Sequence, residues 1–150
     1  MRKHDGLARW IEGDILKSLK PKADYQRLQQ VPGIGPILSM VVVLESGDFQ
    51  RFPSAGDYAS YCRGVPSQRT SNSKKKGQNN RHNGNRYLCW AFAEAAVFAK
   101  RFYPKIAAWH ERKKRRSNAP KATKALACKL AKATWHVMRG EDFQEAMLFG

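Results

Sequence analysis

The segment NGNRYLCWAFAEAAVFAKRF, residues 83–102, decides the fold of this chain. Its apolar residues recur at intervals of three and four, which predicts an amphipathic helix from about residue 86 to residue 102. The Asn-Gly-Asn sequence before it favours a turn and a helix cap. Alanines in the stripe let a second helix approach closely, so we expect a core of packed helices. The predicted stripe comprises Leu88, Phe92, Ala95, Ala99 and Phe102.

The rest of the chain also has mainly helical patterns, which predict an all-α, small multi-helix domain. Ser54 is a candidate N-cap for a short helix that stops near Gly64, and Pro104 opens a helix that ends in residues 111–116. A small hairpin within residues 64–82 is the one place where strands are expected. The other predicted helices span about residues 7–20, 23–30, 37–45, 121–139 and 142–148.

The charge of the chain indicates nucleic acid as the first class of partner. Its 150 residues include 28 Lys and Arg against 12 Asp and Glu, a formal net charge of +16. Such an excess of positive charge attracts polyanions and is larger than solubility requires. A membrane surface is the second possibility, but no apolar run is long enough to span a bilayer and the first residues do not form a signal peptide. We therefore expect a cytoplasmic protein that binds no membrane.

Residues 65–88, VPSQRTSNSKKKGQNNRHNGNRYL, form a basic segment without an acidic residue. Because it has almost no apolar side chains, it cannot bury a core and is expected to form a long basic loop. Its cations, amides and hydroxyls suit a phosphate backbone. A second basic run follows at residues 111–116. The candidate nucleic-acid-binding side chains are Arg69, Lys74, Lys75, Lys76, Arg81 and Arg86 in the first segment and Arg112, Lys113, Lys114, Arg115 and Arg116 in the second.

The sequence VPGIGP, residues 31–36, lies between two predicted helices. Gly33 and Gly35 permit a tight turn with exposed backbone N–H groups at the start of the second helix, where the macrodipole favours an anion. This pattern is typical of a helix-hairpin-helix element, which holds a DNA phosphate through backbone amides without reading sequence. A purely structural corner between two packed helices accounts for it equally well.

The three cysteines and four histidines have no spacing that is typical of a metal site. We therefore predict that these groups hold no metal. Cys89 and Cys128 lie in apolar helical patterns and are expected to be core thiols.

Ser71 lies between Arg69 and Lys74 in the basic segment. A serine among cations has what a nucleophile in phosphoryl transfer needs, because the cations stabilise charge on the phosphodiester in the transition state. Serine is also common in polar loops, where its hydroxyl contacts a phosphate without reacting. The residues alone favour that second role.

Four elements, in this order, resemble the C-terminal transposase domain of the insertion-sequence-110 family. They are VPGIGP, FPSAGDYASYCRGVPS, a polar SN-x-KKKG loop and NGNRYLCWAFAEAA, and the resemblance covers about residues 25–140. Members are DNA transposases, and the best-understood ones are guided by an element-encoded bridge RNA. By position in the motif, Ser71 matches the catalytic serine of the family, and Ser67 and Ser73 are alternative assignments.

The resemblance implies that Ser71 attacks DNA, with insertion-sequence ends, target DNA and a guide RNA as partners. It also implies a RuvC-like nuclease domain with acidic ligands for a divalent metal such as Mg²⁺. That domain normally precedes this one and is expected to be missing. We therefore expect no cofactor in this chain. The chain would then be a truncated or split copy of a transposase and would be inactive alone. In the family, two subunits together form each active site, which implies a homo-oligomer or an assembly with intact transposase. The expected location is the bacterial cytoplasm, in association with the nucleoid.

The expected domain organisation follows the same motifs. Residues 1–24 form an N-terminal helical segment, and residues 25–150 form the transposase domain. Within that domain we expect the helix-hairpin-helix element at about residues 25–46, the basic catalytic loop at 65–85 and helices over 86–140.

Two other classes of function remain open. A binding module without chemistry would hold DNA or structured RNA by charge, so its affinity would fall steeply with salt. An interaction protein would use the helix at residues 86–102 to join other copies or an intact transposase. Aromatic residues beside cations can also stack on bases, although their helical spacing favours core packing. These residues are Tyr87, Trp90, Phe102, Tyr103 and Trp109.

Overall fold

The computed structural model of this chain describes residues 2–19, 23–64, 68–71, 74–78 and 84–150. These residues form eight α-helices, a short 3-10 helix at Phe49–Arg51 and a two-stranded β-hairpin. The helices are α1 (Arg2–Leu19), α2 (Ala23–Leu28), α3 (Pro36–Ser46), α4 (Ala55–Tyr61), α5 (Arg86–Phe102), α6 (Pro104–Arg115), α7 (Ala119–Met138) and α8 (Glu145–Phe149). The strands are β1 (Gln68–Ser71) and β2 (Lys74–Gln78).

The predicted helical class is confirmed, and the hairpin lies within residues 64–82, where strands were expected. The two strands pair with each other inside the segment for which the sequence predicts a long basic loop. Among the described residues, no helix is long and apolar enough to cross a membrane.

Helix α5 lies at the centre of the helical core. Helices α3, α6 and α7 all pack against it, and α4 packs against α7. Ala95, Ala96 and Ala99 of α5 are fully buried, because their small side chains allow the neighbouring helices to come close. The other large buried residues of this core include Leu28, Val31, Val42, Tyr58, Leu88, Phe92, Ile106, Leu126, Leu130 and Val137.

Several helix ends follow the capping chemistry that the sequence indicated. The Ser54 hydroxyl accepts a hydrogen bond from the Asp57 N–H over 3.1 Å and caps α4. Pro104 is the first residue of α6, where its missing N–H costs no hydrogen bond. Both predictions are confirmed, and Asn118 caps α7 in the same way as Ser54 caps α4.

The turn between α2 and α3 packs against α5 through Gly33. This residue has φ +83, and a β-carbon built on it would lie 2.0 Å from the carbonyl oxygen of Ala95. Only glycine fits both the backbone conformation and the close approach. Val31 and Ile34 beside it are buried. The glycine therefore sets the contact between the hairpin turn and the central helix.

Two predictions about burial need correction. Phe102, expected in the buried stripe of α5, is 65% exposed, because it is the last residue of the helix and lies at the edge of the stripe. Cys89 and Cys128, expected to be core thiols, are half-buried, although Cys128 packs against the core. The buried thiol is instead that of Cys62, and burial raises its pKa to about 12.

Candidate nucleic-acid interface

The basic arm, residues 65–83, connects α4 to α5 and is anchored by hydrogen bonds between its two flanks. The Asn85 N–H donates to the Tyr61 carbonyl over 2.7 Å, and Arg63 Nη2 donates to the Gly84 carbonyl over 3.2 Å. Gly84 has φ +92, and a β-carbon built on it would lie 2.5 Å from the Tyr61 carbonyl oxygen. The two flanks of the arm are therefore held together by specific backbone geometry.

Asn85 links this anchor to two helices. Its side-chain oxygen accepts hydrogen bonds from the N–H groups of Tyr87 and Leu88, at 2.9 and 3.0 Å, and caps α5. Its side-chain nitrogen donates to the Glu45 carboxylate over 2.7 Å, at the end of α3. The predicted cap within residues 83–85 is confirmed. The Asn85 side chain also joins the end of α3 to the start of α5.

Tyr61 and Arg51 support the other side of this anchor. The Arg51 guanidinium lies 4.7 Å from the Tyr61 ring centroid and 4.5 Å from that of Phe52. Hydrogen bonds from Asn85 and Arg51 lower the pKa of the Tyr61 phenol, because both donors stabilise the phenolate.

The β-hairpin holds the candidate nucleophile within the arm. The paired Cα positions are Gln68 with Gln78, Thr70 with Lys75 and Ser71 with Lys74. The pairing places Ser71, the last residue of β1, opposite Lys74, the first residue of β2. The register shifts between Gln68 and Thr70, so Arg69 lies at an irregularity of the ladder. A serine and a lysine are thus backbone neighbours across the hairpin.

The other predicted residues of the arm have different positions. Lys75 and Lys76 belong to β2, and Arg86 is the first residue of α5, where it is exposed. Arg81 lies outside the described residues, as do the alternative serines Ser67 and Ser73.

The structure distinguishes the two glycines of the hairpin turn. Gly33 contacts α5 through its α-carbon, so close packing against α5 explains why this position is glycine. A β-carbon on Gly35 would meet nothing within 4 Å, and its φ is −94. Gly35 precedes the first turn of α3, and among the described residues the N–H groups of Gly35 and Ile37 have no hydrogen-bond partner. Gly35 is therefore the glycine that leaves backbone donors open to an anion.

The second basic run lies where the sequence predicted it, at the end of α6. All five of its cations are exposed, and a helix C-terminus favours positive charge through its dipole. The residues are Arg112, Lys113, Lys114, Arg115 and Arg116.

Lysines of α5 and α7 act on the same groups as the cations of this run, and the sequence did not indicate them. Burial and the charges of Lys100 in α5 and Lys114 in α6 lower the pKa of His110, whose Nε2 lies 3.0 Å from Thr123 Oγ1. Burial and the charges of Lys132 and Lys113 likewise lower the pKa of Lys129. Cations of α5 and α6 therefore act on His110, and cations of α6 and α7 act on Lys129.

Only the packing of these helices brings the lysine charges close to His110 and Lys129, so no local sequence signal identifies them. Within the described part of the chain, no hydrogen bond or ion pair joins the α6 run, the hairpin turn and the arm. The structure thus gives three separate candidate contacts for a polyanion.

The described residues bring together no group of three His, Cys, Asp or Glu side chains that could hold a metal ion. The charges of Cys89 and Cys128 add to burial in raising the pKa of Cys62, so both thiols lie within electrostatic range of Cys62. The raised pKa keeps Cys62 protonated and unreactive near neutral pH.

The expectation that aromatic residues near cations pack in the core is wrong for four of five. Trp109 is half-buried and packs edge-on against Phe149, with ring centroids 5.7 Å apart. The remaining four are exposed by 40% or more, and they are Tyr87, Trp90, Phe102 and Tyr103. The outer side of α5 therefore presents aromatic surface that helical spacing alone assigned to the core.

Comparison with known proteins identifies the family of this chain. Residues 25–111 match the family model of the transposase IS116/IS110/IS902 family. The matched region includes the hairpin turn, the anchored basic arm and all of α5, and it covers more than half of the 150 residues. No curated protein gave a significant match. The chain therefore belongs to the IS116/IS110/IS902 family of transposases, and its role is in the transposition of DNA.

Proposed function

We propose that this chain provides the serine nucleophile and part of the DNA-binding surface of a transposase, with Ser71 as the catalytic residue. The observation that carries the proposal is the pairing of Ser71 with Lys74 in a hairpin inside the family-matched region. The anchored flanks of the arm support it, because a nucleophile must be held in a defined position to react efficiently.

In the proposed reaction, Ser71 Oγ attacks the phosphorus of a DNA phosphodiester. A bond forms between Oγ and phosphorus as the bond from phosphorus to one deoxyribose oxygen breaks. The serine hydroxyl gives up its proton, and the departing oxygen takes one up. A deoxyribose hydroxyl of a second strand later attacks the phosphoserine and displaces the serine, so the number of phosphodiester bonds is preserved.

The cations near Ser71 have two roles in this proposal. Arg69 and Lys74 stabilise the negative charge that develops on the phosphate oxygens in the transition state. Lys75, Lys76 and Arg86 hold the flanking phosphates, and the run at residues 112–116 holds a second stretch of DNA or a guide RNA. The open amides at Gly35 hold one further phosphate as part of a helix-hairpin-helix element.

A divalent metal such as Mg²⁺ belongs, in this proposal, to a RuvC-like nuclease domain rather than to the helical part described here. No three of its described His, Cys, Asp or Glu side chains fit such an ion. The metal would activate an oxygen nucleophile or a leaving oxygen there. Assembly with such a domain, in a homo-oligomer or with an intact transposase, would then complete the active site.

The test compares three serines of one segment. The chain is combined with a RuvC-like domain from an intact family member, that member's guide RNA and a plasmid carrying its element ends. We expect Ser71→Ala to abolish recombination and the covalent protein–DNA adduct, whereas Ser67→Ala and Ser73→Ala retain both. Mass spectrometry of the digested adduct should place the nucleotide on the peptide that contains Ser71. Full recombination by Ser71→Ala would refute the assignment.

A non-catalytic nucleic-acid-binding module is the second candidate function. The cations of α5 and α6 near His110 and those of α6 and α7 near Lys129 favour it, because they supply positive charge at a distance in sequence from Ser71. Under this alternative, Ser71→Ala changes neither DNA affinity nor recombination. The same three serine variants therefore decide between the two functions.

A further inference from the structure

Arg63 has a backbone conformation that residues with a side chain rarely adopt. Its φ is +57, and among the described residues it is the only one with a positive φ that is not glycine. In this region the β-carbon crowds the following carbonyl oxygen, so a residue other than glycine raises the energy of the backbone. Such a conformation persists only where the surroundings hold it. The contacts of the arginine side chain therefore have to account for its presence at this position.

The hydrogen bonds at the end of α4 show why the backbone turns at Arg63. The Arg63 N–H donates to the Ser60 carbonyl over 2.9 Å. The Gly64 N–H donates to the Ala59 carbonyl over 2.7 Å. These two bonds form a Schellman motif, which ends a helix with one residue in the left-handed conformation. The motif directs the chain against α7, because a β-carbon built on Gly64 would lie 3.3 Å from the Cys128 α-carbon.

Helix α7 ends in the same motif, with glycine at the corresponding position. The Gly140 N–H donates to the Val137 carbonyl over 3.1 Å. The Glu141 N–H donates to the His136 carbonyl over the same distance. Gly140 has φ +102 and avoids the strain that a β-carbon would cause. Glycine is thus sufficient for the motif, so the motif alone does not explain the arginine at residue 63.

The Arg63 side chain contacts the other flank of the basic arm. Its Nη2 donates to the Gly84 carbonyl over 3.2 Å, and a hydrogen bond from a guanidinium is stronger than one between neutral groups. A β-carbon built on Gly84 would lie 3.1 Å from Arg63 Cγ and 2.5 Å from the Tyr61 carbonyl oxygen. Gly84 therefore fits closely between the arginine side chain and the backbone at the end of α4. A glycine at residue 63 could not make this contact.

The arm that begins and ends at this contact contains Ser71. Residues 65–67 alone separate Gly64 from β1, and Ser71 is the last residue of β1. The flanks meet at the bond from Arg63 to Gly84 and at the bond from the Asn85 N–H to the Tyr61 carbonyl. Both strands of the hairpin lie between these flanks in sequence, so the geometry of the flanks limits where the hairpin lies relative to the helical core.

We propose that Arg63 is a positioning residue for the reaction assigned to Ser71. Its guanidinium holds the two flanks of the basic arm together, and the flanks in turn fix the hairpin that carries the serine. Arg63 acts through the hairpin and not on the phosphodiester itself. The strained backbone is tolerated because only a long side chain with a donor reaches the Gly84 carbonyl. This inference rests on the proposed function, since it concerns the rate at which Ser71 reacts.

Two substitutions separate the side chain of Arg63 from its backbone strain. Arg63→Gly removes the guanidinium and relieves the strain, whereas Arg63→Ala removes the guanidinium and keeps the strain. We therefore expect the glycine variant to unfold at a higher urea concentration than the alanine variant. Both should recombine more slowly by the same factor, at least about tenfold, because a misplacement of about 1 Å can cost about a hundredfold in rate. Arg63→Lys, which keeps a charged donor on a long side chain, should retain most of the rate.

Recombination is measured in the assembly that tests Ser71, with a RuvC-like domain, guide RNA and plasmid from an intact family member. Hydrogen exchange measures the contact between the flanks in the chain alone. We expect the Asn85 amide, which bonds to Tyr61, to exchange faster in Arg63→Gly and Arg63→Ala than in the unmodified chain. The affinity of Arg63→Gly for duplex DNA, measured by fluorescence anisotropy, should match that of the unmodified chain, because the arginine contacts the arm.

Gly140→Ala is the matched control for backbone strain. It adds strain at the same position of the Schellman motif after α7, so it should lower the urea midpoint. It should leave the recombination rate unchanged, because this motif lies outside the flanks of the arm.

Three results would overturn the positioning role. The first is a normal recombination rate in Arg63→Gly. The second is a rate that follows the urea midpoint across the glycine and alanine variants, which would limit Arg63 to stability. The third is a loss of DNA affinity equal to the loss of rate, which would make Arg63 a phosphate contact.

Ser71→Ala distinguishes these failures from a failure of the proposed function. Full recombination by Ser71→Ala would refute the serine assignment and the positioning role with it. An inactive Ser71→Ala beside a normal Arg63→Gly would refute the positioning role alone.

Discussion

At the level of single residues, Gly33 and Gly35 show how one motif contains two different constraints. Both belong to the VPGIGP sequence, and from sequence they are equivalent members of a glycine turn. The structure separates them, because Gly33 has φ +83 and lies against the Ala95 carbonyl, whereas Gly35 has φ −94 and open space around it. Packing thus explains why position 33 is glycine, whereas no packing contact requires glycine at position 35.

Substitution of each glycine by alanine should separate these constraints. Gly33→Ala should lower the free energy of unfolding by about 2–4 kcal/mol, since it adds backbone strain and a clash with the Ala95 carbonyl. Gly35→Ala should lower it by less than about 1 kcal/mol and should weaken DNA binding only slightly, because the backbone N–H groups remain. Urea denaturation measures the free energy of unfolding of both variants. Equal decreases in the two variants would contradict the different roles of the two glycines.

His110 provides a pH-dependent contribution to stability. Burial and the charge of Lys100 lower its pKa in the folded state, so the unfolded chain binds more protons when the pH falls below the ordinary histidine value of about 6.5. Stability should therefore be full above that value and should decrease as the pH falls toward the lowered pKa. Below the lowered pKa, both states are protonated and the decrease levels off.

Replacement of this histidine should remove that component. In His110→Gln the amide can still bond to Thr123, but it does not titrate. We expect the free energy of unfolding to fall less between pH 7 and pH 5 in the variant than in the unmodified chain. Denaturation at both pH values measures the difference, with His136→Gln, an exposed histidine, as control. An unchanged pH dependence would contradict the assignment.

At the level of elements, one lysine of α7 contacts α8, and Phe149 of α8 is buried in the core. Lys129 Nζ donates a hydrogen bond to the Leu148 carbonyl over 2.7 Å and lies 5.2 Å and 5.5 Å from the ring centroids of Trp109 and Phe149. A five-residue helix has little stability of its own, so these contacts hold it to the core. From its spacing in α7 alone, this lysine belongs with the solvent-facing ones.

Removal of the lysine should release α8. Lys129→Ala should speed hydrogen exchange of the amides in Glu145–Phe149 by about tenfold, because it removes a hydrogen bond and two cation–aromatic contacts. Lys132→Ala removes a neighbouring positive charge but none of those contacts, and it should not speed exchange. Equal exchange in the two variants would show that apolar packing alone holds the helix.

At the level of the whole molecule, a net charge of +16 is spread over several separate surfaces. The exposed run at residues 112–116 contains five cations and lies apart from Ser71 in sequence. Each contact between a cation and a DNA phosphate releases counterions, so the dependence of affinity on salt reports the number of contacts. This dependence can therefore identify which surface lies on DNA.

Neutralisation of the run should flatten the salt dependence of DNA binding. Replacing the five cations of residues 112–116 by glutamine should reduce the slope of log affinity against log salt by up to about 4.5, if all five contact phosphates. Neutralisation of Arg9 and Lys17, two exposed cations on α1, is the control and should change it little. Fluorescence anisotropy with a duplex oligonucleotide at several salt concentrations measures both slopes. An unchanged slope in the first variant would exclude this run from the interface.

The sequence by itself determined the helical class, the cap at Ser54, a second cap within residues 83–85, the family and the positions of the basic runs. These features depend on local chemistry, on residue order or on spacing within one helix. The tertiary structure alone decided that Phe102 and Trp90 are exposed, that the charge of Lys100 acts on His110, and that Ser71 pairs with Lys74. Periodicity identifies an apolar side chain but not whether another element covers it, and only the packing of helices and the pairing of strands brings distant residues together.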